Sequence, residues 1–338
     1  MNKKTNTEQG YWRLVWRQFR RNRLSVVGLL ILGLLTLVAV AAPFLANDVP
    51  VYMVKGGKSY WFPNVISYQE LEAANFYSTA MRWTPGEGEY ALRPPIPFSP
   101  RNQMLLDNKR GPSAKHWLGT DDRGRSVAAR IVWGSRISLS VGFIAEGISV
   151  LVGIFLGALA GYYGGRTDAL IMRLIEVVMC FPAFFLILAL VALLPPSIFT
   201  VMFALGLLGW PGIARLVRGE FLKLRESQFA LAAKASGLGD ARIIFRHLAP
   251  NAMAPVLVSA TFGVAGAILT ESALSFLGFG VPPPTASWGE LLSQSQHLVG
   301  SGIWWLVVFP GLAIFATVTA FNLVGEGLRD AMDPRLRQ

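Results

Sequence analysis

The stretch "LAAKASGLGDARIIFRHLAP", residues 231–250, is polar and rich in small residues, although strongly hydrophobic segments precede and follow it. It predicts two short helices joined by a break. Gly237 can adopt the left-handed conformation that ends a helix, and Asp240 can cap the next helix by accepting hydrogen bonds from its free amides. Pro250 is predicted to end the second helix, because proline lacks the amide donor that continues one.

The two predicted helices carry different surfaces. Ala232 and Ala233 leave one face of the first helix without bulk, so another backbone can approach closely. Ile243, Ile244 and Leu248 share a side of the second helix, and we expect this apolar side to contact a groove in a partner protein. A solvated basic loop is the alternative, but it would not require the glycine break, the cap and the apolar face together.

The composition is typical of a membrane protein. The chain of 338 residues is 53% hydrophobic and 15% charged, whereas a soluble domain carries about 25% charged residues. The net charge of +11 comes from basic residues that flank hydrophobic segments, which indicates membrane orientation and not nucleic-acid binding. The single cysteine, Cys180, has no partner for a disulfide within the chain.

Six segments are long and apolar enough to cross a bilayer, which requires about 20 residues per helix. The sequence therefore predicts an all-α integral membrane protein with six transmembrane helices. A cleavable signal peptide is an alternative for the first segment, but signal cores have only about 7–15 residues. The predicted spans are 24–45, Ile137–Ala160, Glu176–Leu194, Ile198–Val217, Ala252–Val281 and Ile303–Val324.

The distribution of Lys and Arg predicts the orientation, because basic residues near span ends stay in the cytoplasm. Residues 1–23 contain seven Lys or Arg and one Glu, whereas the links 193–197 and 282–302 contain no Lys or Arg. We therefore expect residues 1–23 and the tail 328–338 in the cytoplasm, and a long insert, 46–135, outside. The remaining stretch, 136–327, is predicted to hold the other five spans.

Local patterns refine this organisation. Trp12, Trp16 and Phe19 recur at helical spacing among arginines, the pattern of a helix that lies in the headgroup plane. The insert shows no clear helical or strand period, and we expect a partly ordered external cap. Pro182 is predicted to kink the third span, and Arg173 and Glu176 are predicted to form an ion pair at its cytoplasmic border.

A small-residue face is predicted in the second span. Gly153, Gly157 and Gly161 recur every four residues, so they line one side of the helix. Small residues on one side allow a neighbouring backbone to approach closely. This pattern indicates packing and not chemistry.

Glu146 and Glu271 fall inside predicted spans. A carboxylate at the bilayer centre costs about 2.5–3.5 kcal/mol on insertion scales, and such residues usually face a bundle interior or a water-filled path. Two interpretations remain open for both residues: a polar lining of a translocation pathway, or a structural hydrogen bond between helices.

Several catalytic and metal sites find no support. The tripeptide Gly57-Lys58-Ser59 is not a phosphate loop, since the required glycine five positions earlier is Tyr52. The histidines His116, His247 and His297 are scattered over both predicted sides of the membrane, so no zinc cluster is expected. There is no G-x-S-x-G nucleophile motif. We expect no catalytic residue and no metal site in this chain.

Several motifs in order resemble one family. "LAAKASG", nine residues and "HLAP" are similar to the cytoplasmic EAA loop of ABC importer permeases. Three further blocks resemble the C-type subunit of the dipeptide and oligopeptide branch, which also includes nickel permeases. They are "HWLGTDDRGRSVAARIVWGSRISLSVG" from His116, "DALIMRLIEVV" from Asp168 and "ESALSFLGFGVPPPTASWGELL" from Glu271. The external insert, with "KSYWFPNVISYQE", is similar to that of the Yej permease subunit associated with microcin C and oligopeptide uptake.

The resemblance implies a type I importer permease with an N-terminal interfacial elbow, and a coupling loop at residues 218–250 that docks on an ATPase. Two positions depart from the pattern: Leu231 occupies the glutamate position, and Ala249 replaces the usual leucine before the terminal proline. Six residues of the loop match the family positions: Ala232, Ala233, Gly237, Asp240, His247 and Pro250.

The resemblance also implies the partners: a homologous B-type permease in a heterodimer, two cytoplasmic ATPase subunits, an external substrate-binding protein and the lipid of a bacterial inner membrane. No cofactor is expected on this chain, and ATP and Mg²⁺ would be used by the partner subunits. Peptides are the implied substrate, with nickel or another small solute as the alternative. An ion-coupled secondary transporter that uses Glu146 and Glu271, or a membrane-anchored scaffold, are alternatives of other classes.

Overall fold

The protein is described by a computed structural model that covers residues 11–298 and 302–333. Most of these residues are helical. The helices are α1 (Tyr11–Phe19), α2 (Arg23–Val40), α3 (Ala42–Leu45), α4 (Gln69–Ala73), α5 (Phe76–Thr79), α6 (Val127–Tyr163), α7 (Gly165–Met179), α8 (Ala183–Leu193), α9 (Ile198–Leu224), α10 (Gln228–Ala235), α11 (Asp240–Arg242), α12 (Ala249–Phe276), α13 (Trp288–Ser295) and α14 (Trp305–Met332).

Shorter elements complete the described chain. A π-helical turn, Ile243–Leu248, joins α11 to α12, and 3₁₀ turns occur at Leu105–Asp107 and Gln296–Leu298. Three strands lie in the insert: β1 (Tyr52–Lys55), β2 (Lys58–Trp61) and β3 (Tyr90–Leu92).

The helical membrane architecture expected from the sequence is confirmed. Within the described residues, five helices are long and apolar enough to cross a membrane, and the bent pair α7 and α8 makes a sixth if it counts as one span. The helix α6 has 37 residues, which corresponds to a length of about 55 Å and exceeds the roughly 30 Å of hydrocarbon in a bilayer.

Helix α6 begins ten residues before the predicted span at Ile137. The predicted span begins after Arg130 and Arg136, because isolated charges are unfavourable in hydrocarbon. In the structure Arg130 is fully buried between two carboxylates, and the guanidinium of Arg136 lies 5.3 Å from the centre of the Trp133 ring. The helix therefore continues through both arginines.

The third predicted span is broken at Pro182, as expected. Helices α7 and α8 meet there at an angle of 81°, and Pro182 precedes the first residue of α8. The ion pair predicted between Arg173 and Glu176 is confirmed, with 2.9 Å between Nη1 and Oε2. Helix α8 has 11 residues, about 16 Å, so it cannot cross the hydrocarbon by itself.

Contacts within the chain divide the described residues into two compact units. The first, the loop unit, comprises the residues up to Leu32, Val141–Thr270 and those from Ala316 onward. The second, the cap unit, comprises Gly33–Ser140 and Glu271–Phe315.

The loop unit contains the small-residue face predicted on α6, and the close packing is confirmed. A Cβ atom on Gly153 would lie 2.6 Å from Cβ of Ile213, and one on Gly157 would lie 2.5 Å from the carbonyl oxygen of Ala214. At Gly161 an added Cβ would meet the next turn of α9 in the same way. The backbones of α6 and α9 therefore approach as closely as only glycine permits.

The helix predicted before the first span is confirmed as α1, but one of its residues points the other way. Val15 and Phe19 are buried in a cluster with Ala331 of α14, whereas Trp12 and Trp16 are exposed. Phe19 was predicted to share the exposed face. Because positions 15 and 19 are one turn apart, they lie on the same side of the helix, and the apolar end of α14 covers that side.

The cap unit contains a three-stranded antiparallel sheet in the order β2-β1-β3. No strand was predicted there, because strands of three or four residues are too short to show an alternating pattern. Gly56 and Gly57 form the turn between β1 and β2, and both have positive φ angles, which a tight two-residue hairpin turn requires. One face of the sheet buries Met53 and Tyr60 in the core of the insert.

Candidate functional site

The coupling loop, residues 218–250, lies within the loop unit. It contains the end of α9, then α10, the break at Gly237, α11, the π turn and the first residues of α12. Gly237 has a φ angle of +76°, so the predicted left-handed conformation is confirmed.

The inner side of the coupling loop is a buried apolar base that packs against α6 and α9. Ala233 lies in this base and not on an open surface. The members of the base that follow α9 in the loop are Ala230, Ala233, Ile243, Ile244 and Leu248. The long helices contribute Ala158 of α6, Ile213, Val217 and Phe221 of α9, and Ala252 and Val256 of α12.

This base corrects the prediction that Ile243, Ile244 and Leu248 contact a partner protein. All three are buried within their own chain, at 4% exposure or less. The pattern correctly identified an apolar side of the second helix, but α9 and α6 cover that side. Apolar residues at helical spacing indicate a buried face and do not specify what buries it.

The outer surface of the coupling loop is formed by other residues. Leu231 is 54% exposed and Phe245 is 60% exposed. Ala232 and three basic residues, Lys234, Arg242 and Arg246, are also exposed. We call Leu231, Phe245 and these basic residues the outer surface of the loop. Large exposed apolar side chains rimmed by polar groups are typical of protein contact sites.

The side chain of Asp240 does not cap a helix, contrary to the prediction. Gly239 occupies the capping position of α11, and no side-chain cap is present. Instead, the Tyr162 hydroxyl donates to Oδ1 of Asp240 at 2.6 Å. Tyr162 lies at the end of α6, 78 residues before Asp240. The carboxylate that was predicted to bind the first amides of a helix therefore binds this hydroxyl.

Pro250 does not end the second helix, and this prediction is also wrong. Pro250 lies in the first turn of α12. Because it has no amide hydrogen, it leaves the carbonyl of Arg246 without the usual helical donor, and the preceding turn widens to π geometry, in which the Ala249 amide donates to Ile244. The Asn251 side chain donates to the carbonyl of the half-buried His247 at 2.7 Å.

Charged side chains tie the neighbouring helices to the start of the loop. Arg218 donates through two nitrogens to both carboxylate oxygens of Asp168 on α7, the longer contact being 2.7 Å. Arg225 donates to the carbonyl of Gly161 at 3.2 Å. Two parallel contacts fix the orientation of both groups. The end of α9, where the loop starts, is therefore bound to both α6 and α7.

Glu146, on α6, is partly exposed in the loop unit. It lies directly against Gly263 of α12, where an added Cβ would occupy the position of the Glu146 carboxylate. Gly263 therefore makes room for a carboxyl group within the helical bundle. Partial exposure leaves the pathway interpretation open for this residue.

Glu271, in the cap unit, has a different environment. It is 0% exposed, and Oε1 accepts from the hydroxyls of Ser275 at 2.7 Å and Ser287 at 3.0 Å. Ser287 also caps α13 by accepting from the Glu290 amide. These contacts join α12 to the start of α13 and favour the structural interpretation.

A buried ionic cluster in the cap unit was missed by the sequence analysis. Arg130 is 0% exposed and donates to Asp121 at 2.5 Å and to Glu290, and its Nη1 also donates to Gln294 at 2.9 Å. Arg125, also buried, donates to Asp121 at 2.7 Å. Two carboxylates and two guanidinium groups thus neutralise one another away from water, as buried charges require.

Part of this cluster had a signal in the sequence. Asp121, Arg125 and Arg130 stand close together just before a hydrophobic segment, where unpaired charges would be costly. Glu290 had no such signal in the sequence, because it follows Arg130 by 160 residues. Within residues 11–298 and 302–333, no three His, Cys, Asp or Glu side chains are placed to hold a metal ion.

Two family models match parts of the chain. Residues 153–338 match the family described as "Binding-protein-dependent transport system inner membrane component". Residues 10–55 match the "N-terminal TM domain of oligopeptide transport permease C".

Related proteins resemble nearly the whole chain. This chain is 38% identical to the dipeptide transport system permease protein DppC of Alkalihalophilus pseudofirmus. The alignment of 326 residues covers 96% of this chain and 90% of that protein. The chain is 35% identical over 327 residues to the oligopeptide transport system permease protein OppC of Bacillus subtilis, with 97% and 90% covered. A solved structure of the MetNI methionine ABC transporter aligns with 60% of this chain and 97% of its own at a TM-score of 0.47 and 15% identity.

Proposed function

Because the chain belongs to the family of binding-protein-dependent transport system inner membrane components, we propose that it is the permease subunit of an ATP-driven importer of peptides. The names of relatives that cover more than nine-tenths of the chain, a dipeptide and an oligopeptide permease, support this substrate class. The chain then forms part of the path through the membrane and does not catalyse a reaction.

The importer would contain four further kinds of component. We infer a homologous permease that pairs with this chain, two cytoplasmic ATPase subunits that use ATP and Mg²⁺, an external substrate-binding protein, and the lipid of a bacterial inner membrane. The absence of a complete phosphate loop in the sequence supports an external source of energy. Both termini would lie in the cytoplasm, as the distribution of Lys and Arg indicates.

The observation that carries this proposal is the two-sided coupling loop. Its inner side is buried against α6 and α9, and its outer surface offers two large apolar side chains and three cations. An ATPase subunit with an apolar groove and an acidic rim would fit this surface. Ala232 would permit close approach, Gly237 would set the angle between the two parts of the loop, and Ala233, Asp240, His247 and Pro250 would support its shape.

The contacts of the loop indicate how movement would be transmitted. When the ATPases close, they would push on Leu231 and Phe245. The bond from Tyr162 to Asp240 and the bond from Arg225 to Gly161 would carry this displacement into α6. The apolar base would carry it into α9, because packed interiors move as units and do not deform continuously.

The two carboxylates within the helices would have separate roles. We infer that Glu146 contributes a polar lining to the pathway, since it is partly exposed beside a glycine that leaves it room. Glu271 would fix α12 to α13 through the serine hydroxyls that it accepts from.

The docking role is tested at Phe245. We expect wild-type chain purified from membranes to bring down two ATPase subunits and a second permease, and Phe245→Asp to lose the ATPases, because a carboxylate would be placed in an apolar contact. Phe245→Leu keeps an apolar side chain and should retain them. Absence of any ATPase from the wild-type preparation, or full peptide-stimulated ATPase activity in Phe245→Asp, would contradict the proposal.

Substrate class is tested by uptake into cells that depend on this importer. Labelled dipeptide and oligopeptide should enter, and uptake should stop when ATP is depleted while the proton gradient is kept. The converse dependence would indicate a secondary transporter. Uptake of nickel without uptake of peptide would assign the chain to another branch of the family.

A further inference from the structure

The external sheet of the cap unit has one face that its own core does not cover. In the strand register, Tyr52 pairs with Trp61 on one side and Leu92 on the other, and Val54 pairs with Ser59 and Tyr90. Since side chains alternate along a strand, these paired residues share one face. The opposite face carries Met53 and Tyr60 into the core of the insert.

This uncovered face is apolar and uncharged. Trp61 is 60% exposed and Tyr90 is 55% exposed, and the paired positions on the face hold no Lys, Arg, Asp or Glu. Directly after β2, Phe62, Val65 and Ile66 add exposed apolar surface. A soluble surface rarely keeps so many large apolar side chains together without a partner.

The aromatic rings of this region form a continuous series that ends at the first membrane helix. Ring centroids are 6.2 Å apart between Tyr90 and Tyr52, 4.6 Å between Tyr52 and Trp61, and 6.4 Å between Trp61 and Phe62. Phe62 in turn meets Phe44 edge to face at 5.7 Å. We call this series, from Phe44 to Tyr90, the aromatic row.

Phe44 places the aromatic row at the border of the bilayer. Leu34, Leu37 and Val40 form an exposed stripe on α2, and Phe44 continues it one turn later in α3. The 18 residues of α2 rise about 27 Å, close to the thickness of the hydrocarbon. Phe44 lies four residues beyond the end of α2, about 6 Å further along the axis, at the depth of the headgroups.

The backbone at Phe62 is strained. Its φ angle is +54°, a conformation that a bulky side chain adopts only when the surroundings enforce it. The strained residue is also the one that connects the sheet to Phe44. The surrounding contacts, which include Phe44 and Trp61, hold Phe62 in this conformation with its ring in the aromatic row.

We propose that the aromatic row and the uncovered sheet face form a membrane anchor, which lays the external insert on the headgroup layer beside the first span. Trp and Tyr are the residues that prefer this layer, since their rings are apolar and their polar ends reach water. The exposed stripe of α2 contacts acyl chains, and the row continues it without a charged residue. Lipid is therefore the occupant that the surface fits, and no anionic headgroup is required.

The anchor is tested with nitroxide spin labels on single cysteines. The full-length chain, with any subunits that co-purify, is prepared on a Cys180→Ser background, because Cys180 is exposed, and reconstituted into phosphatidylcholine vesicles. One label replaces Trp61 and a second replaces Tyr90. The control label replaces Glu72, which is exposed on α4, the helix that packs against the opposite face of the sheet.

Collisions with oxygen, which concentrates in lipid, and with a water-soluble nickel chelate give the environment of each label. We expect the ratio of oxygen to nickel collisions to be several-fold higher at positions 61 and 90 than at position 72. Equal ratios at all three positions would place the sheet face in water and overturn the proposal. Exclusion of both reagents at 61 and 90 would show a protein on this face and would also overturn it.

A second measurement guards against local disruption by the labels. Phe62→Gly relieves the positive φ angle and removes the ring that joins the sheet to Phe44. We expect the label at position 90 to become more accessible to the nickel chelate in this variant, while the label at 72 is unchanged. No change at position 90 would show that the ring does not hold the sheet at the membrane.

Discussion

The base of the coupling loop and the ionic cluster of the cap unit hold parts of the chain together by opposite kinds of contact. Both join segments that are distant in sequence. The base uses only apolar contacts among residues such as Phe221, Ile243 and Leu248. The cluster uses four charged groups, of which Arg130 is completely buried.

The two regions therefore tolerate different changes. Apolar packing is not directional, so the stability of the base depends on volume and shape and not on the orientation of single bonds. A buried ion pair depends on geometry, and loss of one partner leaves an uncompensated charge in a medium of low dielectric constant. The loop must move if it transmits force, whereas the ionic cluster defines one arrangement of α6 and α13.

The largest effect is expected when the ionic cluster loses one carboxylate. Glu290→Ala should reduce the free energy of unfolding by about 3–5 kcal/mol, because the guanidinium of Arg130 stays buried with one carboxylate fewer. The measurement is thermal unfolding of the purified chain in detergent, followed by loss of the monodisperse peak in size-exclusion chromatography.

Its control replaces both partners. Arg130→Met combined with Glu290→Met should recover most of the lost stability, since no unpaired charge remains and apolar volume fills the site. If the double variant is no more stable than Glu290→Ala, shape and not charge holds this region, and the contrast between the two regions would disappear.

A smaller effect is expected when the apolar packing is made too tight. In Gly157→Ala the new methyl group would approach the carbonyl oxygen of Ala214, and α6 would have to separate from α9. We expect a loss of about 1–3 kcal/mol of stability and weaker coupling of ATP hydrolysis to uptake.

The matched control lies on the same helix. Gly147 has no heavy atom within 4 Å of an added Cβ, so Gly147→Ala should stabilise α6 by up to about 1 kcal/mol through helix propensity alone. Equal losses in the two variants would indicate that α6 tolerates no alanine for reasons other than contact with α9.

The smallest effect concerns a second carboxylate, Asp107, whose partners Lys115 and Arg110 are exposed. In the cap unit, Lys115 donates to Asp107 at 2.6 Å. Arg110 and His116 also contact the carboxylate of Asp107. The hydrogen bond from Lys115 holds the pKa of Asp107 below its usual value, with the His116 contact and the positive charges of Lys115 and Arg110 in support and burial in opposition.

A lowered pKa in the folded state means that the ionised carboxylate stabilises the fold at pH values above the unfolded pKa of about 3.9, and that this contribution is lost as the pH falls below it. Asp107→Asn should therefore melt slightly below wild type at pH 7, and the difference should shrink as the pH falls below about 4. A difference that grows on acidification would reverse the assigned sign.

Much of the organisation follows from local sequence. The spans, the bend at Pro182 and the left-handed Gly237 were predictable because composition, missing donors and the need for positive φ act over a few residues. The packing of Gly157 on a neighbouring backbone was also predictable, since a repeat of four residues specifies one helix face. The identity of the neighbouring helix was not.

Two of the errors share one cause. Asp240 was predicted as a cap, but the hydroxyl of Tyr162 binds it from another helix. Ile243 and Ile244 were predicted to contact a partner, but they are buried in the chain itself. In each case the local rule described the side chain correctly, and a residue far along the sequence decided its contact.

The residue pattern is thus sufficient to identify a helical membrane protein, the approximate positions of its apolar spans and the family that it resembles. Those properties depend on apolar run length, periodicity and the order of short motifs. The fold was needed to show which side of the loop is buried, that Glu290 neutralises Arg130, and that Phe62 beside the short sheet contacts Phe44 after the first span. These depend on the path of the whole chain, because a pattern shows that a surface is apolar or charged, whereas the fold determines what lies against it.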